Sequence, residues 1–244
     1  MGDISQVLGV FSKGITDHTG AGTTMQRSES RTYYYVIRSG VDKYHVQPLN
    51  EQNIPSGLVM TLTKKEFITQ FTPEMKYYDK KTLPALKTLK EKIDRGEKEF
   101  IEGNLDEAEQ SFAKALFLDP EHPKANLGMG SVQCSKKNFA KLSDIINRLL
   151  NNDTIYMESQ RQEFNMFAIS LRKQSLFDEA ISFYRRAIEI NPADENLHFN
   201  TARAYFDSGE NDKALDHLEK ALEISPTLEV ASIFKKYIIK RKDK

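Results

Sequence analysis

The chain has 244 residues, with 35 basic and 35 acidic side chains, so its formal charge is zero. That balance argues against a dedicated nucleic-acid binder, which carries a basic excess to neutralise phosphates. Hydrophobic residues at 39% and charged ones at 29% describe a chain that folds rather than one that stays disordered, and a single cysteine, Cys134, excludes an intrachain disulfide.

The first segment, residues 1–31, is rich in Gly, Ser and Thr, and a flexible arm is expected there. Its start, Met-Gly-Asp-Ile-Ser-Gln, lacks the basic region of a secretion signal, and Gln6 stands where a myristoylation signal wants Ser or Thr. No apolar run approaches the roughly 20 residues of a membrane helix, so the expected location is the cytoplasm. The stretch Gly20-Ala21-Gly22-Thr23-Thr24 has a superficial likeness to a phosphate loop. It lacks the Gly-Lys-Ser/Thr and the strand-to-helix setting that such a loop needs.

Residues 32–80 change character. Tyr33-Tyr34-Tyr35-Val36-Ile37 is aromatic and β-branched, Ser39-Gly40-Val41-Asp42 suits a turn, and Lys43-Tyr44-His45-Val46-Gln47 alternates until Pro48. This spacing predicts a β-hairpin. Thr63 followed by Glu66 is a capping box that opens a short helix over 64–70, ended near Thr72-Pro73. Two strands alone are marginal in water, so this small element needs support, expected from the first repeat helix.

From about residue 81 the pattern is helical, and it repeats. Ala115-Leu116-Phe117-Leu118-Asp119-Pro120, Ala187-Ile188-Glu189-Ile190-Asn191-Pro192 and Ala221-Leu222-Glu223-Ile224-Ser225-Pro226 end three similar helices, the last two prolines 34 residues apart. Small residues recur ahead of each proline: Gly96, Ala108 and Ala115, then Ala168, Ala180 and Ala187, then Ala202, Ala214 and Ala221. A large residue, Phe112, Tyr184 or Leu218, stands between the last two of each set. The loops Gly103-Asn104-Leu105-Asp106 and Gly209-Glu210-Asn211-Asp212 match as well. In this spacing the chain resembles the tetratricopeptide-repeat (TPR) family, whose small residues stand at repeat positions 8, 20 and 27, with a large one at 24 and proline at 32.

The resemblance implies a mainly α fold, an α-solenoid of about four helical hairpins plus a C-terminal cap helix. The repeat units span 89–122, 123–156, 161–194 and 195–228 within an array over 81–228, followed by a cap helix and basic tail at 229–244. The second unit is degenerate: Leu142, Ile146 and Leu149 replace the usual pattern, and an insertion near Met157 follows. In the cap helix Val230, Ile233, Phe234, Tyr237 and Ile238 suggest an amphipathic face turned onto the array. Between Lys235 and Lys244 there are six basic residues and one acidic one, read as a solvated helix end.

The resemblance also implies where partners dock, since the first helices of such units line a concave groove. In the third and fourth units the groove positions point to Asn165, Arg172, Asn196, Phe199, Asn200, Arg203 and Phe206. Asn side chains can pair with the backbone of an extended peptide, and Arg172 or Arg203 can clamp a carboxylate. Of the residues that grip the acidic tails of heat-shock chaperones in one subset of the family, only Asn200 matches, so that role is not expected. No catalytic constellation, cofactor site or metal-ligand spacing is visible among Cys134 and the scattered His18, His45, His122, His198 and His217.

The function expected is therefore that of a non-catalytic adapter or scaffold for a protein or peptide partner, with no cofactor and no DNA. Self-association through the open edge of the N-terminal hairpin is a further expectation. An alternative is an RNA- or nucleotide-responsive regulator that uses the N-terminal element, with the repeats as a docking handle.

Overall fold

The structure, a computed structural model, describes residues 5–19 and 26–242. It divides into two compact units: Met1–Lys92 with Phe117–Glu121, and Ile93–Leu116 with His122–Lys244. The division falls within one helix and near the end of the next.

The first unit is built on a five-stranded antiparallel sheet. Its strands are β1 (Ser5–Thr19), β2 (Gln26–Ser39), β3 (Tyr44–Pro48), β4 (Met60–Leu62) and β5 (Thr72–Pro73), in the order β4-β3-β2-β1-β5. The expected hairpin is present as β2 and β3, with Val36 opposite Val46, and it turns through Gly40 at φ 80°. Successive side chains of a strand point to opposite faces, and this sorts the tyrosine run. Tyr34 and Val36 join Tyr44 and Val46 on one face, where Phe67 and Phe71 pack against them. Tyr33 and Tyr35 point the other way, Tyr33 stacking on Tyr77 with ring centroids 4.0 Å apart. Phe67 lies on α1 (Lys64–Gln70) and Phe71 caps its C-terminal end. The capping box that starts this helix is formed: the Thr63 and Glu66 side chains each accept from the other's backbone N–H, at 3.3 and 2.9 Å. The support expected from the first repeat helix comes, on this face, from α1.

Among the described residues, 5–19 and 26–31, the expected flexible arm is corrected by β1 and β2, which pair from Ser5 opposite Ser39 to Thr19 opposite Gln26. Ser and Thr are compatible with a pleated strand, and here the backbone ladder rather than an apolar period sets the pairing. One irregularity lies between Val7 and Gly9, where Gly9 has φ 98°. The glycine-rich stretch Gly20–Thr24 lies outside the described residues.

A short helix α2 (Met75–Tyr77) runs through a π-helical turn at Tyr78–Thr82 into α3 (Leu83–Ile101). Then come α4 (Leu105–Leu118), α5 (Pro123–Ser135), α6 (Phe139–Leu150), α7 (Arg161–Lys173), α8 (Phe177–Ile190), α9 (Glu195–Asp207), α10 (Asn211–Ile224) and α11 (Glu229–Lys242). Taken in pairs from α3, these are four helical hairpins followed by a single helix.

The small residues act as the repeat requires. Ala108, Ala115, Ala168, Ala180, Ala202, Ala214 and Ala221 are fully buried. Phe112 lies in a slot between two glycines of neighbouring hairpins: a methyl added at Gly96 would sit 2.9 Å from its ring, and one at Gly128 only 2.3 Å away. Gly130 approaches the ring of Phe167 in the same way, at 2.8 Å. The large residue of one hairpin thus fills the space between it and the next, and neighbours share their stability.

The insertion after α6 folds into two 3-10 turns, Asp153–Tyr156 and Glu158–Gln160. Ile155 and Tyr156 are buried in the helical core, and the Tyr156 ring packs on Phe164 and Phe183. Asn191 Nδ2 donates to the Tyr156 carbonyl at 3.0 Å, and Arg186 donates to Asp153 at 2.7 Å. Helix α11 departs from the expected amphipathic face. Ile238 is buried and Phe234 half-buried, but Val230, Ile233 and Tyr237 stay exposed.

Candidate protein-binding face

The first helices of the hairpins, α3, α5, α7 and α9, together with α11, place their groove-position side chains on one face of the second unit. All seven residues singled out from the sequence are partly buried there. Asn165 on α7 meets Asn200 on α9, whose Nδ2 donates to Asn165 Oδ1 at 3.5 Å. Arg172 on α7 forms an ion pair with Asp207 at the end of α9. Arg203 lies within electrostatic reach of Arg172, Asp207 and Tyr184; burial and the neighbouring Arg172 both lower its pKa. Its guanidinium sits over the Phe199 ring, 5.8 Å from the centroid. Among the described residues the buried Tyr184 hydroxyl finds no hydrogen-bond partner, and burial pushes its pKa up to about 12.

The remaining sequence candidates divide. Asn196 turns to its own helix start, donating to Glu195 at 3.0 Å, while its backbone N–H donates to the capping Asp194. Phe199 and Phe206 are joined by α11: Phe234 packs edge-on against both, at 6.2 and 5.2 Å, and Tyr237 lies 5.9 Å from Phe206. Arg172 is thus engaged by Asp207, and Arg203 lies beside them over the Phe199 ring.

Sequence reasoning missed the other half of this face. On α3, α5 and α7 a recess of about 250 Å³ is lined by Phe100, Ile101, Leu127, Gly128 and Met166, and Ile101 is 77% exposed. Lys124 stands at its rim, bonded to Glu97 at 2.9 Å and Glu163 at 3.0 Å, and these two carboxylates raise its pKa against the opposing effect of burial. The signal was present, because the groove positions used for the third and fourth units also select Glu97, Phe100, Ile101, Lys124 and Leu127 in the first and second.

Among the described residues no group of three or more His, Cys, Asp or Glu is arranged to hold a metal ion. His198 and His217 do meet, Nδ1 to Nδ1 at 3.2 Å, an arrangement that needs one ring to donate and the other to accept. Cys134 is buried, and its thiol is pushed up to about 11 by that burial, so it is a packing residue rather than a nucleophile. No helix among the described residues is long and apolar enough to cross a membrane.

Residues 171–233, from the end of α7 into α11, match the tetratricopeptide-repeat family model. This segment, residues 171–233, is of the tetratricopeptide-repeat type. Aspartyl/asparaginyl beta-hydroxylase from Mus musculus is 22% identical over 183 residues, covering 72% of this chain and 25% of that protein. The Homo sapiens protein of the same name is also 22% identical, covering 70% of this chain and 24% of its own length. The chain therefore spans about a quarter of the length of the curated relatives it matches. Among solved structures, a crystal structure of MamA is 21% identical with a TM-score of 0.46, covering 61% of this chain and 84% of MamA. Pseudomonas aeruginosa PilF is 16% identical with a TM-score of 0.49, covering 64% of this chain and 70% of PilF.

Proposed function

We propose that this protein is a non-catalytic adapter that holds a segment of a partner protein on the face made by α7 and α9. The observation that supports this is the meeting of Asn165 with Asn200 and of Arg172 with Asp207, beside Arg203 and Phe199. Amides on adjacent helices offer both a donor and an acceptor to an extended backbone. A guanidinium over an aromatic ring offers charge without losing its apolar support. A cross-linked pull-down with mass spectrometry tests the reading, comparing the native chain with an Asn165→Ala, Asn200→Ala, Arg203→Ala variant of unchanged helicity. A partner held by the native chain and lost by the variant is expected; partners that persist with both rule out this face. The open hairpin edge expected for self-association is corrected, because β1 pairs along β2 and β4 pairs along β3; a second reading moves strand pairing between copies to β1, which runs on to Thr19 while β5 pairs with it, among the described residues, at Phe11 and Ser12.

A further inference from the structure

The face made by the first helices changes character along its length. Toward α3 and α5 it carries Glu97 and Glu163 with Lys124 between them. Toward α9 and α11 it carries Arg172, Arg203 and Arg241 around Asp207, which Arg172 engages and which also attracts Arg203. Among the described residues Arg203 and Arg241 form no ion pair within 4.0 Å, and each lies over a ring instead, Arg203 over Phe199 at 5.8 Å and Arg241 over Phe206 at 5.6 Å.

Helix α11 continues this face. Val230, Ile233, Tyr237 and Arg241 stand 34 residues beyond Asn196, Phe199, Arg203 and Asp207, so they repeat the groove positions of α9 one unit later. Val230, Ile233 and Tyr237 are 52%, 66% and 52% exposed, on the same helix whose Phe234 bridges Phe199 and Phe206. A helix that only closed a stack would present a polar outer surface. This one presents three large apolar side chains beside Arg241, which lies over Phe206, and Arg203, which shares the single charge of Asp207 with Arg172, a combination that matches a ligand both acidic and apolar.

We propose that α9 and α11 together dock an acidic segment of a partner protein that carries bulky apolar side chains. The apolar side chains lie on Ile233, Tyr237 and the edge of Phe206, and the carboxylates meet Arg203 and Arg241. The proposal rests on the reading that partners bind the first-helix face, and adds the chemistry of the partner and the participation of α11.

A random peptide library displayed on phage, selected against the full chain, tests it. Selection is repeated on Arg203→Glu/Arg241→Glu and on Glu97→Lys/Glu163→Lys variants, each checked for native helicity by circular dichroism. Peptides enriched on the native chain are expected to carry Asp or Glu beside Leu, Ile or Phe. One of them, synthesised and labelled, is expected to bind at least about tenfold more weakly to Arg203→Glu/Arg241→Glu and to Ile233→Ser, and to weaken as salt is raised. Its affinity for Glu97→Lys/Glu163→Lys is expected to remain. Enriched peptides that are basic, or that are lost only on Glu97→Lys/Glu163→Lys, overturn the acidic partner while leaving the face as a binding site. Binding indifferent to every one of these variants, or no enrichment at all, overturns both.

Discussion

Each of the four helical hairpins turns through one residue with a left-handed backbone: Gly103 at φ 82°, Lys137 at 56°, Ser175 at 61° and Gly209 at 88°. The first and last hairpins use glycine, which takes this conformation without steric cost, whereas Lys and Ser meet their own Cβ. Ser175→Gly is therefore expected to stabilise the chain by about 0.5–1 kcal/mol, read as a higher urea midpoint at unchanged slope. Histidines set a pH window at the same scale. Burial pushes His122 down to about 4, helped by nearby Lys124, and pushes His217 down to about 4, helped by His198 and Lys220. Both values lie below that of an unfolded histidine, about 6.5. As pH falls below that point the unfolded chain takes up protons before the folded one. Stability is thus expected to fall steadily from about pH 6.5 toward 4, and urea midpoints at pH 7 and pH 5 check it, the lower one belonging to pH 5.

At the scale of the elements, helices proved far more legible than strands. The capping box at Thr63 and Glu66 and the spacing of Pro120, Pro192 and Pro226 are local signals, and they marked helix ends that the structure keeps. The strand segments over residues 5–19 and 26–31 left no such mark, because their pairing depends on a partner strand and their Ser and Thr content reads as loop. The apolar residues of α11 were legible as a pattern but not in direction. The sequence shows that Val230, Ile233 and Tyr237 are apolar; only the neighbouring helix decides that they stay uncovered. Packing between elements also makes a sharp prediction at Gly128, where a methyl would come within 2.3 Å of the Phe112 ring. Gly128→Ala is expected to destabilise the protein by about 1–3 kcal/mol through overpacking. Adding Phe112→Leu is expected to cost less than the sum of the two single changes, a coupling that a double-mutant cycle in urea measures directly.

For the whole molecule, the repeat was legible and the use of its surface was legible only in part. The groove rule led to Asn165, Asn200, Arg172 and Arg203, and the structure brings these into two neighbouring pairs or clusters. Applied to the third and fourth units alone, it passed over the Glu97–Lys124–Glu163 bridge and the recess beside it, which depend on three helices meeting. It also passed over α11, which was read as a cap helix rather than as a continuation of the face.

The insertion between the second and third units has a consequence for that face. A break in a repeat is ordinarily a place where a stack can bend, yet here Ile155 and Tyr156 fill the joint from within and Asn191 and Arg186 fasten it from the next hairpin. The joint is a splice rather than a hinge. The Glu97–Lys124–Glu163 bridge before it and the Arg203–Phe199 stack after it are thus linked through packed side chains and not through an open loop.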